Sequence, residues 1–314
     1  MTTPLLGLHH VTATVDQAQA DLDFCLELLG LRLVKKTVNF DNHHVYHFYY
    51  GDAHGRPGTI WTTFPYRGHG VPVGVKGAGQ ITTTSFSVPA GALDWWEARL
   101  AAAGLAVPPR EARFGQASLT VADPSGLLIE LVEADADPRD PWTAVAGAAT
   151  AIRGLHSVTM TIADPGPTIA FMERWLGAQS AGRDGAVVRM AVGADAPGHR
   201  VEIHHGPDAV RARNGLGTVH HVAFAIGSPE EQLALREALV AAGVGVTEVR
   251  DRQYFRSIYF REPGGVLFEV ATIQPGFAVD EAPEALGRAL KLPPWEEPSR
   301  AAIEAGLDAV RYRA

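Results

Sequence analysis

The chain of 314 residues has a single cysteine, so no disulfide can form within it. Cys25 falls in an apolar stretch of helical period, where a small buried thiol is the usual occupant, and a lone thiol suits a reducing cytoplasm. Basic residues nowhere run in a block and the net charge is -8. Phosphate binding needs clustered Lys and Arg, so no nucleic-acid partner is expected. No apolar run approaches the ~20 residues of a membrane helix. The opening "MTTPLLGLHH" lacks the charged segment and cleavage site of a secretory leader. No membrane partner is therefore expected, and a cytoplasmic location is. With 46% hydrophobic and 20% charged residues the chain reads as globular, and its length predicts two domains rather than one small core.

What the sequence does contain is a unit written four times. "GLHHVTATV" from Gly7, "GQITTTSFSV" from Gly79, "GLHSVTMTI" from Gly154 and "GTVHHVAFAI" from Gly217 are strands of alternating character. Each precedes a segment with apolar residues at helical spacing that ends in Gly or Gly-Ala, then further strand-like stretches such as "HVYHFYY", "SLTVADPSGLLIELVE", "HRVEIHH" and "GVLFEVAT". The turns "ADPSG" and "REPGG" put Pro and Gly where tight reversals want them. Each unit reads as βαβββ. One unit cannot cover both of its faces, so units must pair. The fold expected is α+β, four βαβββ modules paired into two domains with cup-shaped mixed sheets, plus a C-terminal helical tail. The Pro-, Asp- and Ala-rich stretch 135–150 suggests boundaries at 1–140, 151–275 and a 276–314 extension with one amphipathic helix.

Successive side chains on a strand point to opposite faces, so only one histidine of each pair faces the cup. His9 shares a phase with Val11, Ala13 and Val15, whereas His10 shares one with Thr12 and Thr14. His10 is expected on the polar, concave side. In the fourth unit His220 goes with Val222, Phe224 and Ile226, and His221 with Ala223 and Ala225, whose small side chains leave room for a ligand. In the last strand Glu269 interrupts an apolar run, and a buried carboxylate demands a partner or a metal. At the positions of His10 and His221 the second unit has Thr83 and the third Ser157; at the position of Glu269 the second has Glu130 and the first Thr62 or Thr63. One histidine taken alone is better explained as a structural residue. The joint selection of His10, His221 and Glu269 by register across the repeat favours metal. Two imidazoles and a carboxylate form the facial set of non-haem Fe(II), with Mn(II), Zn(II) and Ni(II) also compatible.

The repeats resemble the vicinal oxygen chelate superfamily of glyoxalases, bleomycin resistance proteins and extradiol dioxygenases. More narrowly, "GLHHVTA", "LGLRLVKKTVNFD", "HFYYGD", "PGTIWTTFP", "HHVAF", "FREPGGVLFEVAT" and the tail "LKLPPWEE" resemble the bacterial ring-cleaving dioxygenases that act on hydroquinones. The likeness spans essentially the whole chain. It implies Fe(II) held by His10, His221 and Glu269, in agreement with the alternation argument, and active-site roles for His9, Thr12, His220, Arg252 and Tyr259. Thr12 shares a face with His10, and Tyr259 lies opposite Ile258 and Phe260. His9 and His220 are turned away by alternation, so either a twist at the strand start brings them round or they support the ligands from behind.

The activity so implied is oxidative opening of a hydroquinone or catechol ring with O2, in aromatic hydrocarbon catabolism. Tyr259 would donate or accept a proton, Arg252 hold a phenolate or carboxylate, and His220 shuttle the second phenolic proton. Two alternatives compete with it. A glyoxalase-like isomerase uses four protein ligands, and the first unit ends in Thr62 and Thr63 where a carboxylate would be needed. A drug-sequestering binding protein needs no metal set at all. The remaining histidines read as bystanders: His204 and His205 at a strand end near Glu202, His156 beside Ser157, and His43, His44, His47, His54, His69 and His199 in or near loops. Tyr46, Phe48, Tyr49 and Tyr50 are ordinary core aromatics unless they wall a ring pocket. Of Lys35 and Lys36, one is expected in solvent and one at the cavity rim. The partners expected are a small aromatic substrate and O2, and a homodimer is compatible with such sheets.

Overall fold

A computed structural model describes residues 5–313. The first module runs β1 (Leu8–Val15), α1 (Ala18–Leu22, extended by a π-helical segment Asp23–Leu28), β2 (Arg32–Asn39), β3 (Asn42–Gly51) and β4 (Ile60–Pro65). The second comprises β5 (Gln80–Pro89), α2 (Leu93–Ala102), β6 (Glu111–Arg113), β7 (Gln116–Ala122) and β8 (Leu128–Ala134). The third is β9 (Gly154–Ile162), α3 (Pro165–Leu176), β10 (Gln179–Asp184), β11 (Val187–Ala191) and β12 (Arg200–His205). The fourth is β13 (Thr218–Ile226), α4 (Pro229–Ala241), β14 (Arg250–Asp251), β15 (Arg256–Arg261) and β16 (Leu267–Thr272), and the tail carries α5 (Arg300–Gly306). This is the α+β, four-module architecture that the repeat predicts.

Local chemistry explains where these elements start and stop. Asp164 and Ser228 cap α3 and α4 by accepting the amides of Gly166 and Glu231, each followed by a proline in the first turn, and Gly177 closes α3 at φ +64°. The two Pro-Gly turns share one device. Asp123 accepts the amides of Ser125 and Leu127, and Glu262 accepts those of Gly264 and Val266.

The modules combine into two eight-stranded sheets. The first has the order β14-β15-β16-β13-β1-β4-β3-β2 and the second β10-β11-β12-β9-β5-β8-β7-β6. The first module therefore pairs with the fourth, and the second with the third. This corrects the expectation that 1–140 and 151–275 each pair their own two modules. The 135–150 stretch joins β8 to β9, which flank β5 in one sheet, so it does not separate the sheets. The segments that cross between sheets are 66–79 and 206–217, which run side by side through bridges Val73 to Leu216, Val75 to Arg213 and Ala78 to Arg211. Gly217 ends the second crossing at φ +77°, where a Cβ would come 2.2 Å from the Ser125 carbonyl oxygen.

One continuous apolar core runs behind both sheets and includes Val11, Leu22, Trp61, Phe86, Trp96, Met172, Phe224 and Phe268. The tail packs elsewhere. Its Phe277 and Leu286 join Tyr49, Ala223, Tyr254 and Phe255 in a separate cluster against the first sheet, and Ile303 and Leu292 cover Val38. Lys35 is neither in solvent nor at a rim: it is fully buried, with its ammonium 2.5 Å from Asp280, against Glu281, and over the Tyr254 ring. The apolar stem and paired head fasten the tail to β2. Lys36 is half-buried, with its ammonium over Tyr312. No helix among the described residues is long and apolar enough to cross a membrane.

Candidate metal centre

Four neighbouring strands of the first sheet carry one row of the site. His10 on β1 pairs with Ala223 on β13, Ala223 with Glu269 on β16, and Glu269 with Tyr259 on β15. Residues in register point to the same face, so all four project into the cup. The methyl of Ala223 leaves a space between His10 and Glu269. In the next row Thr12 pairs with His221.

His10, His221 and Glu269 are buried, and their ligand atoms lie within 4.8 Å of one another. Glu269 Oε2 is 2.8 Å from His221 Nε2 and 3.3 Å from His10 Nε2, and the two Nε2 atoms are 3.2 Å apart. Oε1 is taken by the Ser257 hydroxyl, whereas Oε2 accepts no well-formed hydrogen bond. An unsatisfied carboxylate oxygen facing two imidazole nitrogens in a buried pocket is what a divalent cation would satisfy. Burial pushes the Glu269 carboxyl upward, but the two imidazoles outweigh it and hold the group well below the usual carboxylate range. Burial also lowers His221, against the opposing pull of Glu269. A deprotonated carboxylate and neutral imidazoles are the forms that bind a metal.

His9 and His220 resolve differently from strict alternation. Leu8 pairs with Phe224 and His10 with Ala223, so His9 is an extra residue in β1. Thr12 pairs with His221 and Ala13 with Val219, so His220 is an extra residue in β13. Each is a β-bulge, which turns two successive side chains toward one face. His9 Nδ1 sits 2.9 Å from His10 Nδ1, and His220 Nδ1 sits 2.8 Å from His221 Nδ1. Each neighbour thus contacts His10 or His221 through Nδ1, leaving the Nε2 atoms turned to Glu269. Burial, then the adjacent imidazole, lowers each of them to about 3, so both stay neutral. His220 also borders the cavity, whereas His9 lies behind it against Phe255.

The cavity above the cluster measures about 210 Å³ and is bordered by Phe40, Phe64, Phe255, Tyr49, Tyr66 and the polar groups Asp41, His47, Arg252 and Tyr259. It is larger than the ~150 Å³ void that accommodates benzene and small beside ordinary ligand pockets, a fit for one ring. An open surface groove of about 860 Å³ lies between α1 and α2, but none of the three clustered residues borders it. Tyr259 Oη accepts from Arg252 Nε at 3.1 Å. Burial, then the Glu269 charge, raises the phenol above its ordinary value. Contacts with Tyr259 and Asp41 raise Arg252 despite its burial, so it stays a cation. Gln253, at φ +65°, bends the chain so that Arg252 and Phe255 both reach the cavity.

His47 corrects an expectation. It is not a loop bystander but a buried residue of β3 that borders the cavity. Its Nε2 meets Thr62 Oγ1 at 2.8 Å, and Thr62 donates to Thr12 Oγ1 at 3.0 Å. Burial, then His10 and His221, holds it well below the usual imidazole value. It escaped sequence reasoning because no carboxylate lies at ligand spacing from it; the available signal was its phase, which it shares with Tyr49 in the cavity wall. Phe48 and Tyr50 point the other way, into the core. His43 and His44 also lie on β3, His43 against Glu296 at 3.1 Å.

The second sheet serves as an internal comparison. Its register has extra residues at Thr82 and His156, so Thr83 and Ser157 follow bulges as His221 and His10 do. Ser85 pairs with Glu130 as Ala223 does with Glu269, and Thr159 with Glu202 as Thr12 does with Thr62. The second cup thus has two carboxylates, with Thr83 and Ser157 where the first cup has His221 and His10. Arg113 spans the carboxylates, 2.7 Å from Glu202 and 3.1 Å from Glu130, and Arg189 adds a contact at 2.7 Å to Glu202. Glu202 is satisfied by arginine, and the neighbouring His205 is exposed. Among the described residues His10, His221 and Glu269 form the one cluster of metal-ligand type.

The relatives that are similar over nearly the whole chain at about 40% identity are named dioxygenases. The model of the Glyoxalase/Bleomycin resistance protein/Dioxygenase superfamily matches residues 154–270. The chain is 42% identical over 310 residues to the "Putative ring-cleaving dioxygenase MhqO" of Bacillus subtilis (strain 168), covering 98% of this chain and 97% of the relative. It is 39% identical over 300 residues to the "Chlorohydroquinone/hydroquinone 1,2-dioxygenase" of Sphingobium indicum, covering 93% and 92%. The crystal structure of a "putative dioxygenase" from Bacillus subtilis superposes with a TM-score of 0.94 at 40% identity over 99% of both chains. Glyoxalase I from Zea mays matches in fold alone, with a TM-score of 0.66 at 14% identity over 88% of this chain and 96% of that one. With identity of this order sustained from end to end, the chain belongs to the ring-cleaving dioxygenases of the Glyoxalase/Bleomycin resistance protein/Dioxygenase superfamily.

Proposed function

We propose that this protein is an Fe(II)-dependent dioxygenase that opens the ring of a hydroquinone. The observation that carries the reading is the convergence of His10, His221 and Glu269 on the floor of a cavity sized for one ring. Ferrous iron in that set would supply the redox chemistry that couples an aromatic diol to dioxygen. His10, His221 and Glu269 would hold it, leaving coordination positions free on the cavity side. Phe255, Phe64 and Tyr49 enclose the ring and exclude water. Tyr259 stays a phenol at neutral pH and hydrogen-bonds through Oη, so it can pass a proton to the oxygen of the attacked carbon, while Arg252 steadies the resulting phenolate. His220 and His47 are neutral imidazoles on the cavity wall: His47, whose Nε2 donates to Thr62, offers a ring hydroxyl its Nδ1 lone pair, and His220, whose Nδ1 accepts from His221, offers a ring oxygen its Nε2–H. Thr12 does not border the cavity; it anchors Thr62 and through it His47.

Thr62 weighs against an isomerase of the glyoxalase kind. Its counterpart in the second sheet is Glu202, a carboxylate, whereas the first cup has a hydroxyl at this position. A pure binding protein would have no need to bury three ligand groups around an unsatisfied oxygen.

The test is anaerobic purification, elemental analysis, and O2 uptake after addition of Fe(II) and a panel of hydroquinones and catechols. Iron-dependent uptake with a ring-opened acid as product is expected, with His10→Ala, His221→Ala and Glu269→Ala each losing it. Stable metal binding without O2 uptake on any diol would remove the dioxygenase reading.

A further inference from the structure

We infer that Asp41 is a specificity residue that excludes aromatic carboxylates from the cavity; this rests on the ring-cleaving reading above. Among the described residues Arg252 is the only Lys or Arg bordering the cavity, and it is the group that would ordinarily receive a ring carboxylate. Two of its three nitrogens are already engaged. Its Nη2 lies 3.0 Å from Asp41 Oδ2, and its Nε donates to Tyr259. Asp41 Oδ1 lies 3.2 Å from Arg250, which is outside the cavity lining.

Asp41 is held in this position by local structure. It sits at the β2–β3 turn, where its amide donates to Asn39 Oδ1 at 2.9 Å, and Asn39 Nδ2 in turn donates to Tyr66 Oη at 2.8 Å. Asn39, Phe40, Asp41 and Tyr66 all border the cavity. The turn therefore brings an anion to the one cation that a carboxylate could use. A divalent ion among His10, His221 and Glu269 leaves one net positive charge on the floor, which the first phenolate neutralises. A second anion on the ring would find the Arg252 charge already paired with Asp41 and would lie beside that carboxylate. A diol with neutral substituents has no such cost, and specificity follows from the difference.

Asp41 is more than half exposed and screened by solvent, so the expected effect is moderate, about fivefold. The experiment is an anaerobic binding titration of the Fe(II)-loaded full chain with hydroquinone and, separately, with 2,5-dihydroxybenzoate, which differs by one carboxylate. In wild type hydroquinone should bind more tightly. In Asp41→Asn the ratio of the two dissociation constants should shift about fivefold toward the carboxylate, whereas Arg250→Gln should keep the wild-type ratio. An Asp41→Asn ratio equal to that of wild type, or an equal shift in Arg250→Gln, would overturn the inference. O2 uptake with hydroquinone is read separately, so a failure of the ring-cleaving assignment is distinguishable from a failure of Asp41.

Discussion

Two imidazoles that meet through Nδ1 can share only one proton between those atoms, and this decides the tautomer of each proposed ligand. For His10 and His221 to offer Nε2 lone pairs, their Nδ1 atoms must carry hydrogen and donate to His9 and His220. Burial keeps His9 and His220 neutral, with values lowered to about 3, so each has a lone pair to accept with. Such supports typically contribute 10–100-fold to metal affinity. His9→Phe should therefore weaken Fe(II) binding about 10–100-fold in an anaerobic competition against a chelator, while retaining the fold. Unchanged affinity would mean that the Nδ1 contact is incidental. Alternation along the strands was enough to single out His10, His221 and Glu269, because each obeys the two-residue period; Tyr259 entered through the family resemblance and fits the same period. It misdirected His9 and His220, because a bulge leaves no mark in a row of residue types, and it passed over His47 and Asp41, whose partners come from other strands.

At the scale of elements, the strand-helix-strand order of each module was legible because alternating and helical periods change at Gly, Pro and Asp. The first helix was less so. The stretch after Ala18 widens into a π-helical segment over Asp23–Leu28, which a 3.6-residue period does not anticipate. That helix also hides Asp21, which accepts from Tyr50 at 2.6 Å and from Thr63 at 2.5 Å. Burial dominates and raises its carboxyl to about 7, whereas an unfolded Asp titrates near 3.9. Between those values the folded state binds more protons, so its stability falls as pH rises from about 4 to about 7, at roughly 1.4 kcal/mol per pKa unit. Asp123, raised by burial to about 6, adds to the same slope over a narrower range. Asp21→Asn should flatten most of this fall, measured by chemical denaturation at several pH values. An identical pH slope in Asp21→Asn would show that Asp21 is already ionised in the folded protein.

At the scale of the molecule, the proposed ligand set requires the first and fourth modules to share a cup, since His10 and the pair His221 and Glu269 lie at opposite ends of the chain. The composition of 135–150 pointed to a boundary there instead, because a loop inside a sheet and a linker between domains draw on the same residues. The pairing has a testable consequence. A break at 135–150 leaves each half with four strands of each eight-stranded sheet and splits the cluster, with His10 in one piece and His221 and Glu269 in the other. Each piece alone would expose the edges of β1 and β5, or of β9 and β13, along with half the apolar core. Fragments 1–140 and 141–314 should therefore fail to bind Fe(II) tightly when expressed separately, and should copurify and bind it when expressed together. Full-affinity binding by 141–314 alone would exclude His10 as a ligand, and with it the role of the first module in the site.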